Sequence, residues 1–216
     1  MAENQTPIFC RLYLISPDKI DDIEGFSHKL IEALNGGDVA SFQLRLKDAS
    51  DEHIIKVAKA LMPICHSFEV AFIINDHADI AAKVGADGVH LGQEDGSIKE
   101  ARELVGHDAV IGVTCHNSRH LAFEAGDNGA DYVAFGAFYP SDTKQTPLMA
   151  EPEILTWWTD LSELPCVAIG GINVENCKPL IKAGTDFIAT CSAVWDNAEG
   201  PKQAVAQFNK ILCEED

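Results

Sequence analysis

Val84-Gly85-Ala86-Asp87-Gly88-Val89-His90-Leu91-Gly92-Gln93-Glu94-Asp95 reads as a turn, a very short strand and a polar strand end. Gly85 to Gly88 is turn material, Val89-His90-Leu91 is the strand, and Gly92 stops it and exposes Gln93-Glu94-Asp95. The opening recurs as Asn128-Gly129-Ala130-Asp131-Tyr132 and as Ala183-Gly184-Thr185-Asp186-Phe187. Each copy is a helix-ending glycine followed by the start of a strand. The repeat therefore marks an αβ connection used several times over, an architectural device rather than a site.

Working outward, apolar strand-like runs fall at 11–15, 39–44, 71–74, 89–91, 110–113, 132–135, 166–169 and 187–189. Helical spacing falls between them, at 26–34, 54–61, 78–84, 97–104, 118–125, 154–161, 174–183 and 202–213. Ser50-Asp51 is expected to cap the second helix, which should stop before Pro63. Alternation of this kind implies a parallel sheet. Eight units in a chain of 216 residues predict an α/β fold, a closed (β/α)8 TIM barrel. The expected organisation is a single domain over 1–216, with its core at about 10–213. A six- or seven-stranded doubly wound sheet is the competing architecture. No Gly-x-Gly-x-x-Gly follows the first strand, which weakens a dinucleotide-binding reading.

The chain carries 16 basic against 34 acidic residues, a formal net charge of -18. That surface repels nucleic-acid phosphates and anionic membranes. An anionic ligand then requires positive charge gathered locally. The seven cysteines are odd in number, include no Cys-x-x-Cys and mostly sit in apolar runs, as expected in a reducing compartment. Residues 1–7 are polar with no apolar signal region, and no stretch is long enough to span a membrane. The expectation is a soluble cytoplasmic protein without nucleic-acid or membrane partners; its oligomeric state is open, a homo-oligomer included.

In a barrel, function gathers at the C-terminal strand ends. The second strand ends in Gln43, Arg45 and Lys47, alternate positions expected to point together into the mouth and to hold an anion. The third ends in Asn75-Asp76 and the fourth in Gln93-Glu94-Asp95, so two carboxylates converge on one face and suit a hard cation. The bland alternative is that Asp76 and Asp95 only cap the helices that follow. The fifth gives Thr114, Cys115 and His116; His116 and His120 share a helical spacing, but the ligand set for zinc is incomplete. After the sixth comes 136–147, rich in hydroxyls with one lysine, read as a phosphate clamp and lid against the alternative of a plain solvent loop. Gly170-Gly171 and Cys191-Ser192 follow the last two strands, where barrels often hold phosphate, and Asn173 is expected to cap the next helix.

Gln43-Leu44-Arg45-x-Lys47, Ile74-Asn75-Asp76, His90-Leu91-Gly92-Gln93-Glu94-Asp95, Tyr139-Pro140-Ser141-x-Thr143-Lys144 and Ala168-Ile169-Gly170-Gly171-Ile172 together resemble the thiamine phosphate synthase family. The motifs run in family order from Leu12 to Val194. The resemblance implies a transferase that couples 4-amino-2-methyl-5-hydroxymethylpyrimidine diphosphate to 4-methyl-5-(2-phosphoethyl)thiazole, releasing pyrophosphate. It implies Mg2+ on Asp76 and Asp95, with Arg45, Lys47, Asn75 and Lys144 on the diphosphate and Gln43 on the aminopyrimidine edge. It further implies that Ser141, Thr143, Gly171 and Ser192 bind the thiazole phosphate, and that Thr114 and Cys191 contact substrate. Thr114 stands where the family often has Ser, and His77 where Arg is frequent. Two alternatives are a thiazole tautomerase, the sister branch that typically lacks this metal pair and Thr-Lys loop, and a non-catalytic thiamine-phosphate binding protein. Metal dependence separates the first, and product binding without turnover the second.

Overall fold

The computed structural model describes residues 10–140 and 149–213. Its eight strands are β1 (Arg11–Ile15), β2 (Ser41–Leu44), β3 (Ala71–Asn75), β4 (Gly88–Leu91), β5 (Val110–His116), β6 (Tyr132–Gly136), β7 (Cys166–Ile169) and β8 (Phe187–Thr190). They close in sequence order into a parallel barrel, with Leu12 opposite Ile188 and Tyr13 opposite Ala189 at the seam of β1 and β8. The helices are α1 (Ile23–Leu34), α2 (Asp51–Ser67), α3 (Ala78–Val84), α4 (Ile98–Val105), α5 (Arg119–Asp127), α6 (Glu153–Leu161), α7 (Lys178–Lys182), α8 (Ser192–Trp195) and α9 (Pro201–Leu212). None of them is long and apolar enough to cross a membrane.

Strand alternation sorts the side chains into two layers. Leu12, Leu14, Phe42, Leu44, Phe72, Ile74, Val133 and Phe135 point outward into the main core beneath the helices, each at most 1% exposed. Tyr13, Ile15, Tyr132, Ala134, Val167 and Ala189 form a separate cluster inside the barrel. The interior has room for Tyr132 because β5 carries Gly112 across from it, where a β-carbon would collide with the Tyr132 ring.

The recurring turn acts at the bottom of the barrel. Asp87 accepts the backbone N–H of Phe72 at 2.6 Å, Asp131 that of Ile111 at 2.7 Å and Asp186 that of Cys166 at 2.7 Å. Each Asp also donates its own N–H to the carbonyl of the same residue. One side chain thus completes the hydrogen bonding of a residue at the start of the neighbouring strand.

Two helix boundaries depart from expectation. α2 continues through Pro63 to Ser67. Pro63 and Lys59, whose carbonyl loses its helical partner, lie on the exposed face, so water can satisfy that carbonyl while Leu61 and Cys65 stay buried. α7 begins only at Lys178, with Cys177 and not Asn173 at its cap. Asn173 Oδ1 instead accepts from the N–H groups of Glu175 and Asn176, a local turn that competes with helix.

Candidate active site

A cavity of about 500 Å³ opens at the C-terminal ends of the strands, and all eight strand ends line it. Gln43, Arg45, Asn75, Asp76, Asp95, Thr114, Gly171, Cys191 and Ser192 all reach it, together with Ile15, His90, Gln93, Glu94, His116, Ile169 and Ala189. Ser141, Thr143 and Lys144 lie outside the described residues.

Asp76 follows β3 with φ 65, a left-handed turn that Asp tolerates better than most residues, and its N–H is fixed by the carbonyl of His90 at 2.8 Å. Its carboxyl faces that of Asp95. Burial, then the Asp95 charge and a hydrogen bond with Asp95, push the Asp76 carboxyl up to about 6, while Arg45 and His77 pull the other way. Neither carboxylate caps a helix. Ser97 caps α4 in a reciprocal box with Glu100, and α3 starts from His77 without a side-chain cap. Asp95 does close its own loop, accepting from the N–H of Gly92 at 2.9 Å.

The basic cluster is arranged differently from the alternating pattern predicted for it. β2 ends at Leu44, and the chain turns at Lys47 and Asp48. Asp18, from the loop after β1, holds Arg45 Nη1 at 2.6 Å and Lys47 Nζ at 2.7 Å with its two oxygens. Arg45 lines the cavity and Lys47 stands behind it. Among the described residues the mouth therefore sets Asp18, Asp76, Glu94 and Asp95 against Arg45 and Lys47. The anticipated local excess of positive charge is absent from these residues.

The donors present suit a hard cation. Asp76 and Asp95 offer oxygens only, and their mutual repulsion is what a divalent ion relieves. Among the described residues no three His, Cys, Asp or Glu side chains converge, so any such ion completes its shell with water and ligand oxygens, as Mg2+ commonly does.

On the opposite wall Gly171 has φ 63, and a β-carbon there would sit 2.5 Å from the carbonyl oxygen of Pro140. The chain leaving β6 is laced to this corner. Tyr139 N–H reaches Gly170 O at 3.0 Å, Tyr139 Oη reaches Asn176 O at 2.8 Å, and Asn176 Nδ2 reaches Gly171 O at 3.0 Å. Ala150 N–H bonds Ala137 O at 2.8 Å, so the described residues on either side of 141–148 are anchored near the Gly170-Gly171 corner. Cys191 donates its thiol to Ser16 O at 3.3 Å, and burial pushes that thiol up to about 12. It is a neutral wall group and no nucleophile.

Sequence reasoning did not find Asp18, nor the partners of His90. His90 bonds Tyr132 Oη through Nδ1 at 2.9 Å and Thr114 Oγ1 through Nε2 at 2.8 Å. Tyr13, two residues before the end of β1, bonds both Tyr132 and Gln43 at 2.9 Å. Polar side chains at inward positions of buried strands were the available signal.

The model of the thiamine monophosphate synthase family matches residues 12–194. A thiamine-phosphate synthase of Rhodospirillum centenum is 56% identical over 94% of this chain and 98% of its own. One from Erythrobacter litoralis is 52% identical over 96% and 97%. The solved thiamine phosphate pyrophosphorylase of Pyrococcus furiosus superposes with a TM-score of 0.81 at 33% identity, covering 94% of this chain and 95% of the other. With its closed barrel and its paired carboxylates at the strand ends, the chain belongs to the thiamine monophosphate synthase family.

Proposed function

We propose that this cavity joins 4-amino-2-methyl-5-hydroxymethylpyrimidine diphosphate to 4-methyl-5-(2-phosphoethyl)thiazole, forming thiamine phosphate and pyrophosphate. The observation that carries the reading is the Asp76–Asp95 pair facing into a cavity beside Arg45. In the reaction the methylene carbon–oxygen bond breaks, and both electrons leave on the diphosphate. The thiazole nitrogen then gives its lone pair to the pyrimidine cation. No base is required, so the task of the site is to stabilise the leaving group and to keep water away.

Asp76 and Asp95 would hold Mg2+, whose chemistry is to neutralise the departing pyrophosphate and fix its orientation. Arg45 donates to diphosphate oxygens, and its bond to Asp18 sets its direction. Asn75 and Lys144 add donors for the same group, Thr114 contacts it at the floor, and Lys47 acts from behind by holding the Asp18 that orients Arg45. Gln43 reads the amino edge of the pyrimidine. Gly171 and Ser192, with Ser141 and Thr143, receive the thiazole phosphate at the Gly170-Gly171 corner, and Cys191 lines the cavity beside them. Ile15, Ile169 and Ala189 form an apolar wall that disfavours capture of the cation by water.

The test is incubation with both substrates and Mg2+, reading thiamine phosphate by fluorescence after oxidation. Product should accumulate and should stop on adding a chelator. Lack of product contradicts the reaction, and product formation indifferent to chelation contradicts the cation. Lys144→Ala should cost about a hundredfold in rate with unchanged melting, the usual scale for one charged donor in a preorganised site.

A further inference from the structure

Five side chains run end to end beneath the cavity. Gln43 Nε2 donates to Tyr13 Oη at 2.9 Å, Tyr13 Oη bonds Tyr132 Oη at 2.9 Å, Tyr132 Oη bonds His90 Nδ1 at 2.9 Å, and His90 Nε2 bonds Thr114 Oγ1 at 2.8 Å. The chain crosses the barrel from β2 through β1, β6 and β4 to β5. Gln43, Tyr13, Tyr132 and His90 are 3%, 3%, 8% and 5% exposed. Gln43, Thr114 and His90 line the cavity, whereas the tyrosines lie beneath it.

Each tyrosine hydroxyl owns one proton, and burial keeps both protonated, raising Tyr13 to about 12 and Tyr132 well above its ordinary value. A neutral imidazole likewise donates from one nitrogen and accepts at the other. The links must therefore all point the same way. With the Gln43 amide nitrogen donating to Tyr13, the Tyr13 proton goes to Tyr132 and the Tyr132 proton to His90 Nδ1. His90 then carries its proton on Nε2 and gives it to Thr114, whose own proton is left for the cavity. In this polarity Gln43 turns its carbonyl oxygen toward the ligand and Thr114 offers a donor. In the opposite polarity the amide is flipped, Gln43 offers N–H, and Thr114 offers only an acceptor.

We infer that this relay makes the cavity recognise its pyrimidine substrate as a matched pair, a hydrogen-bond donor at Gln43 together with an acceptor at Thr114. The inference rests on the functional reading above. The aminopyrimidine diphosphate supplies both halves, its exocyclic amino group at one end and anionic oxygen at the other. A 4-oxo pyrimidine diphosphate presents acceptors at both ends, and neither polarity satisfies it. Tyr13 and Tyr132 touch no substrate in this scheme; they are positioning residues that set substrate choice.

The experiment compares kcat/KM for the 4-amino and 4-oxo pyrimidine diphosphates at saturating thiazole phosphate and fixed Mg2+, in wild type, Tyr13→Phe and Tyr132→Phe. Wild type should prefer the amino substrate by about 10⁴, the scale at which a site built to bond a polar group rejects an analogue lacking it. Either variant lets Gln43 turn independently, so the preference should fall about tenfold or more, with part of the change a gain on the oxo substrate. A general loss of packing lowers both rates and leaves the ratio alone. In case the variants fold poorly, nitrogen NMR of wild type with the 4-amino substrate and no thiazole phosphate should show His90 protonated on Nε2 and bare on Nδ1. An unmoved ratio in folded variants, or a His90 proton on Nδ1 in that complex, overturns the relay. Wild type that makes no thiamine phosphate from the amino substrate overturns the functional reading, and the relay's substrate assignment with it.

Discussion

At the N-terminal end of the barrel, Asp87, Asp131 and Asp186 each accept a backbone N–H from a neighbouring strand, whereas at the C-terminal end Asp76 and Asp95 face each other. The bottom carboxylates find donors within the chain, so their negative charge is answered where the fold is built. The top pair has Gly92 N–H on one Asp95 oxygen and a hydrogen bond to each other, with Arg45 and His77 offsetting their repulsion only in part. The same residue type is a structural staple at one end and an unfinished site at the other. Its hydrogen-bond partners decide which.

The comparison breaks most visibly at the top. Asp76→Asn keeps a residue that tolerates the left-handed turn. It should cost about a hundredfold or more in steady-state rate, since it removes half of the charge that holds the leaving-group cation. Its metal-free melting temperature should not fall. A variant with the wild-type rate would place the chemistry elsewhere in the cavity.

At the bottom the expectation inverts. Asp186→Ala strands the N–H of Cys166 and should cost about 1–3 kcal/mol of stability, a drop of several degrees in Tm for a chain of this size. The rate per folded molecule should stay near wild type, as checked by unfolding curves beside kinetics on the folded fraction. A catalytic loss without a stability loss would erase the distinction between the two ends.

A smaller effect sharpens the contrast through pH. The folded Asp76 carboxyl titrates at about 6 against an ordinary 3.8, so the folded state binds more protons than the unfolded one between those values. Its contribution is therefore favourable below about 3.8 and is lost as pH rises through about 6. Compared with Asp76→Asn, the metal-free wild type should gain melting temperature as pH is lowered from 7 toward 5. Saturating Mg2+ with pyrophosphate should remove that difference. Parallel melting profiles of the two proteins would contradict the facing-carboxylate geometry.

Much of this was legible in the sequence because it depends on local periodicity. Apolar runs broken by glycine turns predict the strands, and the residue that follows each run predicts the mouth. Asp76 and Asp95 were found on that ground alone. Asp18 was not, because it stands 27 positions from Arg45 and meets it only once the barrel closes. The relay was hidden for the same reason, since Tyr13 and Tyr132 are 119 residues apart and no period links them. Lys47 was placed in the cavity by carrying strand alternation past Leu44, where the strand had already ended. Pro63 reads as a stop because its exposure is not visible in sequence. On a solvent-facing stripe the lost hydrogen bond is replaced by water.

The most direct test of the two-ended account is the thermal response of wild type and Asp95→Asn to Mg2+ with pyrophosphate, with initial rates measured alongside. Asn keeps an oxygen for the N–H of Gly92, so the loop that Asp95 closes is retained. Wild type at a hundredfold excess over Kd should gain about 2.7 kcal/mol, several degrees in Tm. The variant should show no such gain and should lose its rate. An Asp95→Asn protein that still rises with Mg2+-pyrophosphate and turns over at the wild-type rate would contradict the claim that the top carboxylates hold the cation.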